Sequence, residues 1–474
     1  MKKINRKYLF GDEFSEKLLK TAEDINFFSN RMLSIKTFDN AVMLPAKFFS
    51  WTSIPWAKGG ILDESGSYIE ESASFAMFSH NYTNKKMLTR LYGAYSYELE
   101  EVENYNEDMV LYAGFYIKQW GHFLLECLSR LWPVVQNPER YKNMKIVFLP
   151  MRDCDEVDAT FLECLNLIGI RKEQIVLLRK PTKFKKVIIP ETSIYAGYVY
   201  TKEYKDLLNH IISRAMEKTT KIKTFKKIYL SRKNWAFTQN RDIGEEKIEK
   251  FFNKNGFKSI TLEKHSLVEQ IHIMQEAEHV ASAVCTLPHN LIFAHDCIKA
   301  TFINKTNRYN ILQFTVDSMK NLDVTYVDAY FLLFLCQNSG VGPFLFDVND
   351  NLINYAKDNG MKLPEQESMK KYIMKYLDLY FEKIEDFTDE ELFEFRNLYK
   401  IMRNRFRLYS TKELMFKKYF HKIMWKLSFG EQRIRYFEKY IKYKNKLNKV
   451  NTAVSNGMES SKHMLRAKDE SLAL

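Results

Sequence analysis

Short apolar runs alternate with helical periodicity along much of this chain. In the first half, Lys145–Pro150, Gln174–Leu178 and Lys186–Pro190 read as strands, and Ala159–Leu167 as a helix between them. Before them, 40–45, 59–66 and 109–112 read as short strands and turns, and 120–136 reads as one helix. A helix over 202–218 leads to a second series. There the strands are 227–230, 259–262, 279–284 and 300–304, separated by helices over 244–254, 266–276 and 289–296. Strand–helix alternation at this spacing predicts parallel sheets wound on both faces. The expected organisation is an α/β protein with two doubly wound, Rossmann-like domains facing a cleft, at 1–205 and 206–350. Beyond 350 the pattern changes to helices rich in aromatics and lysines (364–384, 389–408, 411–447), a helical extension that runs to 450. Residues 451–474, with five serines or glycines, read as a frayed tail.

The segment Gly121-His122-Phe123-Leu124-Leu125-Glu126-Cys127-Leu128-Ser129-Arg130-Leu131-Trp132-Pro133 breaks the apolar pattern in an ordered way. His122, Glu126 and Arg130 are spaced by four, which places them on one face of a regular helix. Burying such groups is costly unless they are paired. One explanation is a network that ties a core helix to its neighbours. The other is an active-site wall in which a general base is oriented by a carboxylate. His122, whose ordinary pKa lies near neutrality, is the preferred base; Glu126 orients it or is itself the base, and sequence does not separate the two.

Gly-His-Phe-Leu-Leu-Glu followed by Ser-Arg-Leu-Trp resembles the N-terminal signature of glycosyltransferase family 61 proteins of the bacterial capsular polysaccharide type. A second block resembles the same family: Tyr229-Leu230-Ser231-Arg232, Asn240-Arg241-Asp242-Ile243, Glu245-Glu246, Gly256-Phe257, Leu262-Glu263, Ser266, Glu269-Gln270-Ile271 and Thr286-Leu287-Pro288-His289-Asn290. The pieces keep family order across about residues 40–310. The resemblance implies the two-domain GT-B architecture and an inverting, metal-independent glycosyltransferase of surface polysaccharide synthesis. Its substrates are then a nucleotide sugar, a UDP-sugar by expectation, and a glycan or lipid-linked acceptor, with no further cofactor.

Sugar transfer requires that the leaving diphosphate be stabilised. Arg232 stands just past the strand 227–230, at the edge where parallel sheets bind ligands, and Arg241 near the start of the next helix. Their planar forks suit a diphosphate; truncation of Arg232 is expected to weaken donor binding with little effect on folding. Thr286, ahead of Pro288, is placed near a helix N-cap, and His289 and Asn290 are candidates for phosphate or ribose contacts. The family commonly has glycine where Cys285 stands. Glu263, past another strand, is a ribose candidate, as more weakly is Gln270; Ser266 with Glu269 reads as a capping box.

Composition narrows the alternatives. With 46% hydrophobic and 28% charged residues in 474, the chain is globular. Its longest apolar run falls well short of the ~20 residues that span a bilayer, and no signal peptide is read, which predicts a cytoplasmic protein. Six scattered cysteines without a Cys-x-x-Cys pair predict reduced thiols. No Gly-x-Gly-x-x-Gly is present, against a dehydrogenase. Asp153-Cys154-Asp155 has the form of a metal-site tripeptide but reads as a solvated helix start, so no metal site is assigned. The formal charge of +13 is concentrated in 411–450, where twelve Lys/Arg face three Glu. That argues against a nucleic-acid enzyme, whose cleft would be basic throughout. The stretch reads either as an amphipathic helix packed on the body or as a dock on the anionic inner face of the membrane. A non-catalytic, anion-binding scaffold of a polysaccharide assembly complex is the rival reading from another class.

Overall fold

The computed structural model describes residues 3–50, 53–77, 87–152, 154–233, 241–331 and 342–365, scattered positions between 369 and 393, and two C-terminal helices, Lys412–Leu427 and Gly430–Asn448. The expectations for 389–408 and 451–474, and for Asp153, Asn240 and Cys336, fall outside the described residues.

In the second half the four strands expected at 227–230, 259–262, 279–284 and 300–304 are present, and a fifth, Asp323–Asp328, which is not expected, joins them. Five parallel strands lie in the order Lys258–Ile260, Lys227–Leu230, His279–Ala283, Lys299–Asn304, Asp323–Asp328. In chain order this is 2-1-3-4-5, a doubly wound sheet whose direction of winding reverses between Lys227–Leu230 and His279–Ala283. Ligands of such sheets bind in the crevice beyond the carboxyl ends of the two strands at that reversal.

The first half departs from expectation. Its nine-stranded sheet is mixed. Four strands, Thr182–Pro190, Val110–Tyr116, Lys145–Pro150 and Ile175–Leu177, are parallel neighbours. The long strand Ile35–Phe48 pairs antiparallel with both Thr182–Pro190 and Ala57–Leu62, and Ser74–Met77 pairs antiparallel with Met87–Leu91. The doubly wound description therefore holds for the second half and only for the parallel end of the first. Val110–Tyr116 is buried at all seven positions, as a central strand covered on both faces must be.

The helix Lys202–Met216 buries Tyr204, Leu207, Leu208, Ile211 and Ala215 and packs between Ala159–Leu167 of the first half and Leu267–Glu276 of the second. One hydrophobic cluster runs through both halves, from Leu18 and Val110 to Ile271 and Phe302. The expected boundary at 205 is also crossed by the N-terminus: the Phe10 amide donates to Asp328 Oδ2 at 2.8 Å and the Tyr8 hydroxyl to Asp358 Oδ2 at 2.7 Å. Instead of one helix over 411–447, two helices, Lys412–Leu427 and Gly430–Asn448, pack together as a hairpin. Among the described residues, no helix is long and apolar enough to cross a membrane.

Candidate active site

The segment expected to be one helix over 120–136 is three pieces. Trp120–His122 forms a turn of α-helix, Phe123–Cys127 continues as a π-helical turn with the Leu128 amide bonded to Phe123 O at 3.2 Å, and Trp132–Gln136 starts a new helix with Pro133 in its first turn. Proline fits a helix start and not an interior, so the break is local in origin. π-turns of this kind are frequent at functional sites. His122 and Glu126 still meet, with Nδ1 and Oε1 2.5 Å apart. Arg130 does not join them. Beyond the π-turn its guanidinium points elsewhere and binds the carbonyls of Pro190, Glu71 and Ala73, which fixes loops of the first half.

The cation that pairs with Glu126 comes instead from the strand Met87–Leu91. Arg90 is wholly buried and grips the carboxylate through Nε at 2.8 Å and Nη2 at 3.3 Å. Its guanidinium lies 3.7 Å from the centre of the Trp56 indole, and Trp56 in turn meets the His122 imidazole edge-on at 5.2 Å. Burial alone would raise the Glu126 pKa; Arg90 and His122 overcome it and hold the group down to about 2. Glu126 is thus a fixed anion at neutral pH.

Gly121, one residue before His122, forms the contact with the second half. A Cβ there would lie 2.9 Å from Thr286 Cγ2 and 3.0 Å from His289 Cδ2. Thr286 is therefore brought against the His122 segment, at the head of a seven-residue 3₁₀ turn, Leu287–Phe293, where a longer α-helix over 289–296 is expected. At its start Leu287 N donates to the Cys285 sulfur at 3.3 Å and His289 N to Thr286 O at 3.2 Å, and the Thr286 side chain caps nothing.

His289 and Asn290 both have partners within the protein. His289 is fully buried, with Nδ1 2.8 Å from Gln313 Oε1 and Nε2 3.4 Å from Asn310 Nδ2, and burial pushes its pKa down to about 4. Asn290 accepts from Trp120 Nε1 at 2.9 Å and donates to Leu287 O at 2.9 Å, bridging the two halves. Gln270 likewise binds within the protein: its amide donates to His265 O. The N-terminus of its helix is occupied by Glu163 of the first half, which accepts from Leu267 N at 2.7 Å and Val268 N at 3.2 Å. Ser266 and Glu269 form the expected capping box. Glu263 is exposed beside the edge strand and makes no hydrogen bond or ion pair among the described residues.

Arg232 and Arg241 are brought together at the winding reversal. Both contact Asp242: Arg232 through Nη2, Arg241 through Nε at 3.2 Å and Nη2 at 3.0 Å. A third cation, Lys305, just past the strand Lys299–Asn304, reaches Asp242 Oδ1 at 3.0 Å. Sequence reasoning missed Lys305, as it missed Arg90 and Trp56. For the two cations the available signal was a charged residue directly after, or inside, an apolar strand.

Burial would raise the Asp242 pKa, but Lys305, Arg232 and Arg241 carry it well below the carboxylate range. Lys305 is lowered to about 8, chiefly by burial, with Arg232 and Arg241 adding to the effect against Asp242. Nearby Glu245 is raised to about 7, mainly by burial and against the pull of Arg232. Cys285 sits in the field of Arg232 and Lys305, its thiol raised by burial. Because Arg232 is buried in an ion pair, the expectation that its truncation leaves folding nearly unchanged does not hold: breaking such a pair costs about 3–5 kcal/mol.

Two charged groups thus flank the turn that starts at Cys285–Thr286, the His122–Glu126–Arg90 stack on one side and the three cations on the other. Residues 120–301, which span this turn, match the family model described as Glycosyltransferase 61. The chain is a glycosyltransferase. A search of curated proteins finds no match. Within the matched stretch lie His122, Glu126, Arg232, Arg241 and Thr286; Arg90 and Lys305 lie outside it. Of the acidic run after Lys145–Pro150, Asp155 is exposed beside Arg179 at 3.4 Å, and Asp158, at the start of the helix Ala159–Leu167, pairs with Lys118 at 2.8 Å.

Proposed function

We propose that the chain is an inverting glycosyltransferase. It moves a sugar from a nucleoside-diphosphate donor, a UDP-sugar, to a glycan or lipid-linked acceptor in surface polysaccharide synthesis, its two halves working in the GT-B manner. The observation that carries this reading is the convergence of Arg232, Arg241 and Lys305 at the sheet's winding reversal, one turn of chain from His122.

Charge develops on the leaving diphosphate, and fixed cations in a buried setting stabilise it more than the same groups would in water. Arg232 and Arg241 offer forked donors and Lys305 a point charge. In this reading the three side chains supply the charge compensation, so the step needs no resident metal. Thr286 lies between them and the acceptor side.

His122 takes the acceptor proton. A Nδ1–H donated to Glu126 leaves the Nε2 lone pair as the acceptor. As the proton moves, the acceptor oxygen bonds to the anomeric carbon opposite the departing diphosphate, which gives inversion. The new imidazolium is then paired with Glu126. Glu126 is poorly suited to be the base, because a pKa near 2 leaves it little affinity for a proton and both its oxygens are already engaged. The test is release of nucleoside diphosphate across a panel of nucleotide sugars, run beside thermal shift. At least one donor should be bound and consumed. A panel with no binding and no turnover refutes the reading, and binding without turnover would favour the scaffold.

A further inference from the structure

We propose that Glu245 is a specificity residue of the donor site and receives the ribose hydroxyls of the nucleotide. The inference rests on the donor reading above and extends it from the diphosphate to the nucleoside. Glu245 is the first residue of the helix Glu245–Lys254, three positions after Asp242. The short strand Asp242–Ile243 pairs with Phe344–Leu345. Gly244 then turns the chain into the helix in the left-handed region, at φ +83°, where a Cβ would lie 3.1 Å from Phe346 O. This turn holds two carboxylates in very different states. Asp242 binds Arg232, Arg241 and Lys305. Glu245 lies in the field of Arg232 and Lys305, yet among the described residues its one hydrogen bond comes from the Tyr229 hydroxyl, at 3.4 Å. The other glutamates of the helix are not in this state: Glu246 is exposed, and Glu249 accepts from Ser231 Oγ at 2.9 Å and from Lys233 Nζ at 3.0 Å.

A half-buried carboxylate with so weak a partner works against folding, and beside a ligand crevice such a group is a mark of a binding site. Hydrogen-bonding chemistry selects the occupant. An ionised carboxylate only accepts, and a diphosphate only accepts as well. The group that meets Glu245 beside the three cations must therefore come from another part of the donor, one that carries O–H or N–H. The transferred sugar has to face His122, across the Thr286 turn, whereas Glu245 stands with the cations. That leaves the nucleoside. Its ribose is joined directly to the diphosphate and presents two adjacent hydroxyls, which one carboxylate can accept with its two oxygens.

Calorimetry compares UDP with 2′-deoxy-UDP on the full-length protein and on the E245A variant. Wild type should bind UDP about tenfold or more tightly than 2′-deoxy-UDP, the scale of a hydrogen bond to a charged group. In E245A the preference should shrink to about twofold or less. Removing a negative charge beside the cations strengthens the binding of both diphosphates, so the ratio of the two affinities is the readout. Wild type that binds the two ligands alike overturns the proposal without any variant, and so does an E245A protein that keeps the preference. Either result leaves the diphosphate reading standing, because UDP is still bound. A wild type that does not bind UDP removes both.

Discussion

Replacing Asp242 by asparagine preserves shape and removes the carboxylate on which Arg232, Arg241 and Lys305 converge. In the free protein, taking one partner out of a buried ionic cluster costs about 3–5 kcal/mol. At roughly 2–4 °C per kcal/mol for units of 150–250 residues, the melting temperature should fall by about 6–20 °C. Because the Asp242 pKa is depressed in the folded state, its contribution is in place above about pH 4 and is lost as pH falls further. Wild type and variant should therefore converge in acid.

The same substitution should strengthen diphosphate binding. A unit charge pair 4 Å apart at an effective dielectric of 20 is worth about 4 kcal/mol. If a third of that is recovered when UDP takes over the role of the missing carboxylate, affinity rises about tenfold. Calorimetric titration of UDP and of uridine into both proteins measures this. UDP should bind the D242N protein at least about tenfold more tightly than wild type, with uridine unchanged. At UDP near 100 times its dissociation constant, about 2.7 kcal/mol of the lost stability should return. A variant that is destabilised yet binds UDP no better than wild type would refute the assignment of the three cations to the diphosphate.

Four further outcomes are expected. His122→Ala should lower kcat by about 10²–10⁴, the range for a general base, with the UDP dissociation constant unchanged in a titration. Glu126→Gln should destabilise the protein by about 3 kcal/mol at pH 7, since the folded pKa of about 2 lies below the ordinary 4.5. The loss should shrink as pH drops from about 4.5 toward 2, and unchanged denaturation midpoints at pH 7 would contradict it. UDP affinity should fall as pH rises through about 8, where buried Lys305 loses its proton, and Lys305→Met should weaken binding and flatten that dependence. Gly121→Ala forces a methyl onto Thr286 Cγ2 and should reduce turnover; adding Thr286→Ser, which deletes that methyl, should restore part of it.

Local pattern carried most of the second half of the fold because the strands Lys227–Leu230, His279–Ala283 and Lys299–Asn304 are short, mostly buried runs bounded by helix signals, a reading that needs no knowledge of the pairing partner; Asp323–Asp328, exposed or half-buried over its first three residues, is not read this way. The first half resisted. Its strand segments at 40–45 and 109–112 were visible, but strand direction is not written in hydrophobic periodicity, and Ile35–Phe48 turns out antiparallel to both neighbours. A similar limit applies to the site. His122 and Glu126 are four residues apart and meet whether the turn is α or π, so their pairing was legible. Arg130, eight residues from His122, would share that face only on a regular helix, and the π-turn at Phe123–Cys127 together with the restart at Pro133 removes the regularity.

What completes each charged cluster arrives from distant sequence. Arg90 is 36 residues before Glu126, and Lys305 is 63 after Asp242. Both stand outside the stretch that matches the family model. A buried carboxylate cannot remain ionised without a close cation, so Glu126 and Asp242 each imply partners, even though no motif spacing names them. The same physics gives these two partners different consequences. Arg90 is locked to one carboxylate beneath the Trp56 indole, so it fixes the state of Glu126 and through it the orientation of His122. Lys305 shares its carboxylate with two guanidinium groups and has a pKa near 8, so its charge responds to what binds beside it. A diphosphate placed there would draw a proton onto Lys305, and donor binding near pH 8 should be accompanied by proton uptake, visible as a buffer-dependent heat in calorimetry.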